Sequence, residues 1–203
     1  MRTASILTIL VILICGCTKE TNSERVVKLT KVEGYEINYE PISKALFEEM
    51  FQPGWYCSSI HDVYPNGHLG ENYLTMRGSN NGGSVGPNRF SICGKNQLKI
   101  YSFYEDYAGD HYQYRLATYS YSEEGNHLSF EGFYSVYYSN PGVYASLTEG
   151  CVTSLTETQM DLVTPLWKYG GYAAENAVYT LFRFKRLTEE EVSRLNSLYT
   201  ESR

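Results

Sequence analysis

Hairpin turns recur along this chain at short intervals, and that punctuation limits its fold more than any other feature. Gly94-Lys95-Asn96, YAGD at 107–110, EEGN at 123–126 and SNPG at 139–142 separate runs rich in aromatic and β-branched residues. Such runs between turn clusters predict strands. They lie at 55–63, 72–77, 89–93, 97–105, 111–122, 127–138, 143–154, 158–163 and 176–187. Tyrosine supports the reading: it supplies 20 of the 203 residues, and its ring suits a half-buried pleated surface. Eight or nine short strands in hairpin series make an up-and-down meander. Closing the meander into a barrel removes both exposed edges. A two-sheet sandwich is the alternative. The fold class is therefore mainly β, an antiparallel up-and-down barrel.

Two helices flank the strands. Pro41 suits a first helical turn, and Ile42, Ala45, Leu46 and Met50 recur at helical spacing before Gln52-Pro53-Gly54. This predicts a short N-terminal helix. At the other end Thr188 and Glu191 form a capping box. Val192, Leu195, Leu198 and Tyr199 make one apolar stripe, which predicts a C-terminal helix.

The extreme N-terminus is a different kind of sequence. Met1-Arg2 is a basic start, 6–14 is apolar, and 14–17 reads Ile-Cys-Gly-Cys. The apolar run falls short of the ~20 residues a membrane span needs. It has the build of a cleaved export signal. Ile14-Cys15-Gly16-Cys17 resembles the lipobox of bacterial lipoproteins. The resemblance implies a diacylglyceryl thioether on Cys17, removal of 1–16, and acylation of the new amine. Each buried methylene contributes ~0.8 kcal/mol, so two or three acyl chains hold a protein on a membrane without spanning it. Thr18, where inner-membrane retention would have Asp, points to the outer membrane. The domain plan is thus a signal peptide at 1–16, a polar tether at 17–38 and a barrel domain at 39–203. Cleavage removes Arg2 and moves the formal charge from -6 to -7. A chain this acidic does not seek nucleic-acid phosphates or an anionic bilayer surface.

A wider resemblance covers 46–187. An entry helix, Gly54-Trp55 at the first strand, serial hairpins, SLTETQMDLV at 154–163, YTLFRFKRL at 179–187 and a final helix look like the lipocalin-like lipoproteins of Bacteroidetes-type bacteria. The family has Gly-x-Trp where this chain has Gly-Trp. The resemblance implies a calycin-type barrel with a ligand cavity, and a Trp and an Arg together at its closed end. Strand geometry suggests the same pair here. Val178, Phe182, Phe184 and Arg186 share a face, and the first strand must meet the last if the sheet closes. Trp55 and Arg186 are expected to touch through a cation–π contact.

Motifs for chemistry are sparse. No serine sits in a Gly-x-Ser-x-Gly context, and there is no Walker or dinucleotide glycine pattern. Glu105, Asp106, Asp110 and His111 gather at one hairpin, but their spacing is not that of an EF-hand loop. Acidic hairpin tips are ordinary, and no metal or other cofactor is expected. His61, His68 and His127 are isolated, and Glu123-Glu124 reads as solvated. Cys57, Cys93 and Cys151 lie outside the anchor and are expected as separate thiols or one disulfide plus one thiol. The remaining signal is aromatic: 11 of the 20 tyrosines fall between Tyr101 and Tyr144. Tyrosine gives an apolar body and a polar tip, which suits amphipathic ligands. Alternation groups Tyr112, Tyr114 and Leu116, and likewise Leu128, Phe130 and Tyr134. Tyr114, Phe130, Tyr134 and Phe182 are the candidate ligand-binding residues. The reading is a lipid-anchored barrel that binds a small amphipathic molecule without catalysis. A barrel filled by its own side chains, acting structurally or on a partner, is the first alternative. A surface enzyme is the second.

Overall fold

A computed structural model describes residues 29–72, 89–106, 109–132, 147–165 and 176–201. Cys17, the expected anchor, and Tyr134, Trp167, the run at 73–77 and the glycine-rich loop at 78–88 lie outside these residues. So do the side chains of Glu105, Asp106 and Asp110.

Eight antiparallel strands close into one barrel. They are β3 (Gly54–Val63), β4 (Arg89–Gly94), β5 (Gln97–Asp106), β6 (Gly109–Ser122), β7 (His127–Glu131), β8 (Glu149–Leu155), β9 (Gln159–Pro165) and β10 (Tyr179–Arg186). Each pairs with the next, and β10 returns to pair with β3. The up-and-down order expected from the hairpin series is therefore observed, as a lipocalin-like barrel. β3 and β4 pair only over Gly54–Tyr56. They approach so closely there that a Cβ on Gly54 would lie 2.5 Å from the Phe90 carbonyl oxygen. Farther along β3, the segment around Gly70 takes over: Gly70 N donates to Asp62 O at 2.9 Å, and Ile60 N donates to Asn72 Oδ1 at 3.1 Å.

The two ends of the barrel differ. At one, which we call the helix end, the connections are short: 95–96, 123–126 and 156–158. At the other, the loop end, three of the four connections are long: 64–88, 132–148 and 166–178, against 107–108 between β5 and β6. Helix α1 (Lys44–Met50) closes the helix end. Its N-cap is Ser43, whose hydroxyl accepts from Leu46 N, so the helix starts three residues after Pro41. Phe47 from α1 and Phe51 just beyond it are fully buried among Trp55, Phe90 and Phe184. Phe51 stands 4.9 Å from the Tyr119 ring and 5.7 Å from Phe90, and Phe47 stacks on Tyr121 at 3.8 Å.

A polar clip holds this plug. Asn126 is buried, with a left-handed backbone (φ 49°) that asparagine tolerates. Its Oδ1 accepts from Ile42 N at 2.8 Å, and its Nδ2 donates to Glu40 O at 3.1 Å. The Tyr121 hydroxyl lies 2.9 Å from Ile42 O and 3.0 Å from Asn126 Oδ1, within reach to donate to either. The chain leading into α1 is thus tied to the β6–β7 turn, across about eighty residues of sequence.

Two elements cover the outer wall. Helix α2 (Glu189–Leu198) has the predicted capping box between Thr188 and Glu191. Its Val192 and Leu195, with Leu187 and Tyr199, pack on Tyr101, Tyr56 and Tyr114. A two-residue strand β11 (Thr200–Glu201) then runs parallel to β6. The second cover comes from the N-terminal side. Strands β1 (Lys31–Val32) and β2 (Tyr35–Glu36) form a hairpin. Leu29 and Val32 are buried against Val63, Val163 and Leu181. The described end of the segment read as a tether is therefore docked on the β3–β10–β9 wall. Tyr35 and Ile37 pack partly buried against the same cluster, and Val32 and Tyr35 are cross-strand partners.

Beneath that hairpin lies an ion pair. Arg183 on β10 and Asp161 on β9 are cross-strand partners. Arg183 Nε donates to Asp161 Oδ1 at 3.0 Å, and its Nη2 donates to Oδ2 at 2.8 Å. Asp161 is fully buried. Beside it the Tyr35 and Thr153 hydroxyls are 2.8 Å apart. Burial first, and then the Asp161 charge, push the Tyr35 phenol above its ordinary range.

Candidate functional site

Register around the barrel shows which side chains point inward. Trp55 lies across from Phe90, Phe90 from Ile100, and Leu98 from Ala117. Tyr119 lies across from Phe130, Leu162 from Phe182, and Phe182 from Ile60. All belong to one buried interior cluster. Phe130 and Phe182, two of the expected lining residues, are therefore inside. They are core, at 6% and 3% exposure. Phe130 stands edge-on to Phe90 at 6.3 Å, and Phe182 stacks with Phe184 at 6.5 Å.

Tyr114 requires a correction. It pairs with Tyr101 on the outer face and packs against the α2 cluster. Lys99 Nζ sits 4.6 Å from its ring centroid. Its strand neighbours Tyr112 and Leu116 also face out, at 38% and 51% exposure. The inner face of β6 carries Ala117, Tyr119 and Tyr121 instead. Alternation alone leaves the choice of face open when both faces are aromatic.

The Trp55–Arg186 pair is half as expected. The two residues are direct cross-strand partners in the β3–β10 closure. Trp55 is fully buried and faces inward despite the Gly-Trp spacing, with its indole N–H donating to Phe51 O at 2.8 Å. The Arg186 guanidinium turns to the rim, where Nη1 donates to Glu157 O at 3.3 Å. Among the described residues no cation–π contact joins it to Trp55. The partly exposed rim offers a carbonyl and water, so the guanidinium has no need of a ring face.

The inner wall changes character toward the loop end. Two residues beyond the Ile60–Phe182 pair, Asp62 faces Thr180, and Thr180 faces Thr164 on β9. Alternation keeps all three on the inner face. Asp62 is 2% exposed, Thr180 0% and Thr164 5%. Thr164 Oγ1 donates to Thr180 O at 3.4 Å. Across the barrel the inner face of β6 continues from Ala117 to Arg115, which is exposed. This polar band above an apolar floor was missed in the reading of the residues alone. The alternation in β3 carried a signal for it, since Asp62 falls on the face of Ile60.

The remaining candidates are quickly placed. Cys57, Cys93 and Cys151 are free thiols. Burial pushes Cys57 up to about 12, so it stays protonated and inert. His61 Nδ1 lies 2.8 Å from Gly70 O, while His68 and His127 pair with Glu33 at 3.0 Å and Glu149 at 3.1 Å. No group of three metal-ligating side chains occurs among the described residues. Open depressions on the outside are lined by described residues. One of ~530 Å³ lies between the β1–β2 hairpin and 66–68, and one of ~340 Å³ lies beside Arg186 and Thr188. No protein-family model matches the chain, and no curated protein matches it.

Proposed function

We propose that this chain is a lipid-anchored envelope protein that holds a small amphipathic molecule in the loop-end half of its barrel, without chemistry on it. One observation carries the ligand reading: the inner wall passes from a sealed aromatic floor to a buried polar band at Asp62, Thr164 and Thr180. An apolar pocket with a few placed polar groups is the usual build of a small-molecule site. The packing of Phe47, Phe51 and Trp55 favours a second reading, a barrel filled throughout that serves as a scaffold.

Titration with N-phenylnaphthylamine, a neutral apolar fluorophore, separates the two. Saturable one-to-one binding is expected. Thr180→Trp should abolish it while the circular dichroism of the barrel persists, because the indole would fill the band. A wild-type protein that does not bind the probe would support the filled scaffold.

The anchor rests on Ile14-Cys15-Gly16-Cys17, and Thr18 supports the outer membrane as its place. Cys17→Ser should take up no radioactive palmitate and should leave the membrane fraction. A mutant that is still labelled and still sediments with membranes would rule the anchor out.

A further inference from the structure

We infer that the β1–β2 hairpin is a clasp on the loop end of the barrel. Its docking is coupled, through residues 66–72, to the order of the far half of β3. This holds whether the barrel carries a ligand or is filled throughout. Beyond Tyr56, β3 parts from β4. Among the described residues, its bonds on that side then run to 69–72. Gly70 N donates to Asp62 O at 2.9 Å, Ile60 N donates to Asn72 Oδ1 at 3.1 Å, and Val63 bridges to Leu69. The Ile60 bond goes to a side chain, so this stretch is a sparser ladder than the β3–β10 closure on the other edge.

The hairpin grips the same segment from outside. Glu33 N donates to Gly67 O at 2.9 Å. The Glu33 carboxylate accepts from Leu69 N at 3.3 Å and meets His68 Nδ1 at 3.0 Å. Gly67, at φ 81°, lies so close to the hairpin that a Cβ there would collide with the Lys31 carbonyl. Glu33 therefore fixes Leu69, and Leu69 with Gly70 holds β3. Val63 closes the circuit, because it bridges to Leu69 and shares a buried cluster with Leu29 and Val32 of the hairpin segment. A contiguous set of contacts of this kind can carry coupling between two elements. The tip is also the part that yields first. The Glu33 and His68 side chains are 58% and 64% exposed, and an exposed pair contributes little. The clasp thus opens ahead of the barrel, as a local unit of low stability does. On the anchored reading proposed above, load on the N-terminal side reaches this hairpin before it reaches the barrel.

Hydrogen–deuterium exchange of the full chain, read residue by residue, tests the coupling in both directions. Glu33→Ala should speed exchange of the Gly70 and Ile60 amides about fivefold, the factor one ordinary net hydrogen bond supplies. The amides of β9 and β10 should not change. Coupling between two sites is reciprocal. Gly67→Ala, which drives the turn off Lys31, should therefore speed the Ile37 amide, which donates to Thr30 O across the hairpin at 2.9 Å. Unchanged Gly70 and Ile60 amides in Glu33→Ala would overturn the inference. So would a Gly67→Ala effect confined to 64–70. Equal acceleration throughout β9 and β10 would overturn it too, because it reports loss of the whole fold and not release of a clasp. Glu33 is exposed, so Glu33→Ala decides the matter even if Gly67→Ala does not fold.

Discussion

Replacing Arg183 by Met is expected to remove about 3–5 kcal/mol of folding stability, the cost of leaving a buried charge without its partner. Asp161 has no exposure, and the Arg183 fork meets both its oxygens. Gln159 Nε2 also donates to Asp161 Oδ1, at 3.2 Å, but an amide cannot neutralise a carboxylate. The β1–β2 hairpin lies over the site through Tyr35, and although the Arg183 side chain keeps 23% exposure, Asp161 itself has none through which water could replace the guanidinium. The double variant Arg183→Met with Asp161→Asn should recover part of the loss, because it removes the stranded charge. Urea denaturation measures both. A loss below about 1 kcal/mol for Arg183→Met would mean that the pair behaves as an exposed one, and that the hairpin does not seal it.

Phe51→Ala should cost a similar amount, about 3–5 kcal/mol, through a different mechanism. The ring lies at the centre of the helix-end plug. It contacts Phe47 at 4.8 Å, Tyr119 at 4.9 Å and Phe90 at 5.7 Å, with Trp55 at 6.5 Å. Few of these neighbours can move inward. Phe90 and Trp55 are held by the short β3–β4 ladder, and Phe47 stacks on Tyr121, which is tied to Asn126 and Ile42. The cavity would therefore persist, and the lost contacts would not be recovered. If Phe51→Ala lost less than about 1 kcal/mol, well short of the cavity cost, α1 would be a loose lid and not a plug.

The residues announced the strand series because turn chemistry is local. Gly94-Lys95-Asn96, with Asn96 in a left-handed conformation, and the EEGN turn with Gly125 and Asn126 both at positive φ lie where hairpins were expected. The C-terminal helix was equally legible, since the Thr188–Glu191 capping box is a short-range device. Boundaries set by packing were not. The first helix begins at Lys44, two residues beyond Ile42, because the Asn126 clip takes up the backbone of Glu40 and Ile42 outside the helix. The choice of face on β6 was also illegible. Tyr112, Tyr114 and Leu116 look like a lining, yet α2 supplies the outer wall with its own apolar cover, so both faces of the strand bear aromatics. The buried pair Asp161–Arg183 could not be read at all without the β9–β10 register. Of the candidate site, Phe130 and Phe182 were placed on the inner face correctly, and the polar band at Asp62 emerged only once Thr180 was known to lie opposite it.

Native mass spectrometry of the full-length protein, purified from the membranes of its own cells in mild detergent, tests the central claim most directly. The account predicts a single non-covalent small-molecule adduct that is lost on collisional activation and is displaced by N-phenylnaphthylamine. A spectrum showing only the polypeptide with its covalent acyl chains, from a preparation that also fails to bind the fluorophore, would contradict it and leave the barrel as a filled scaffold.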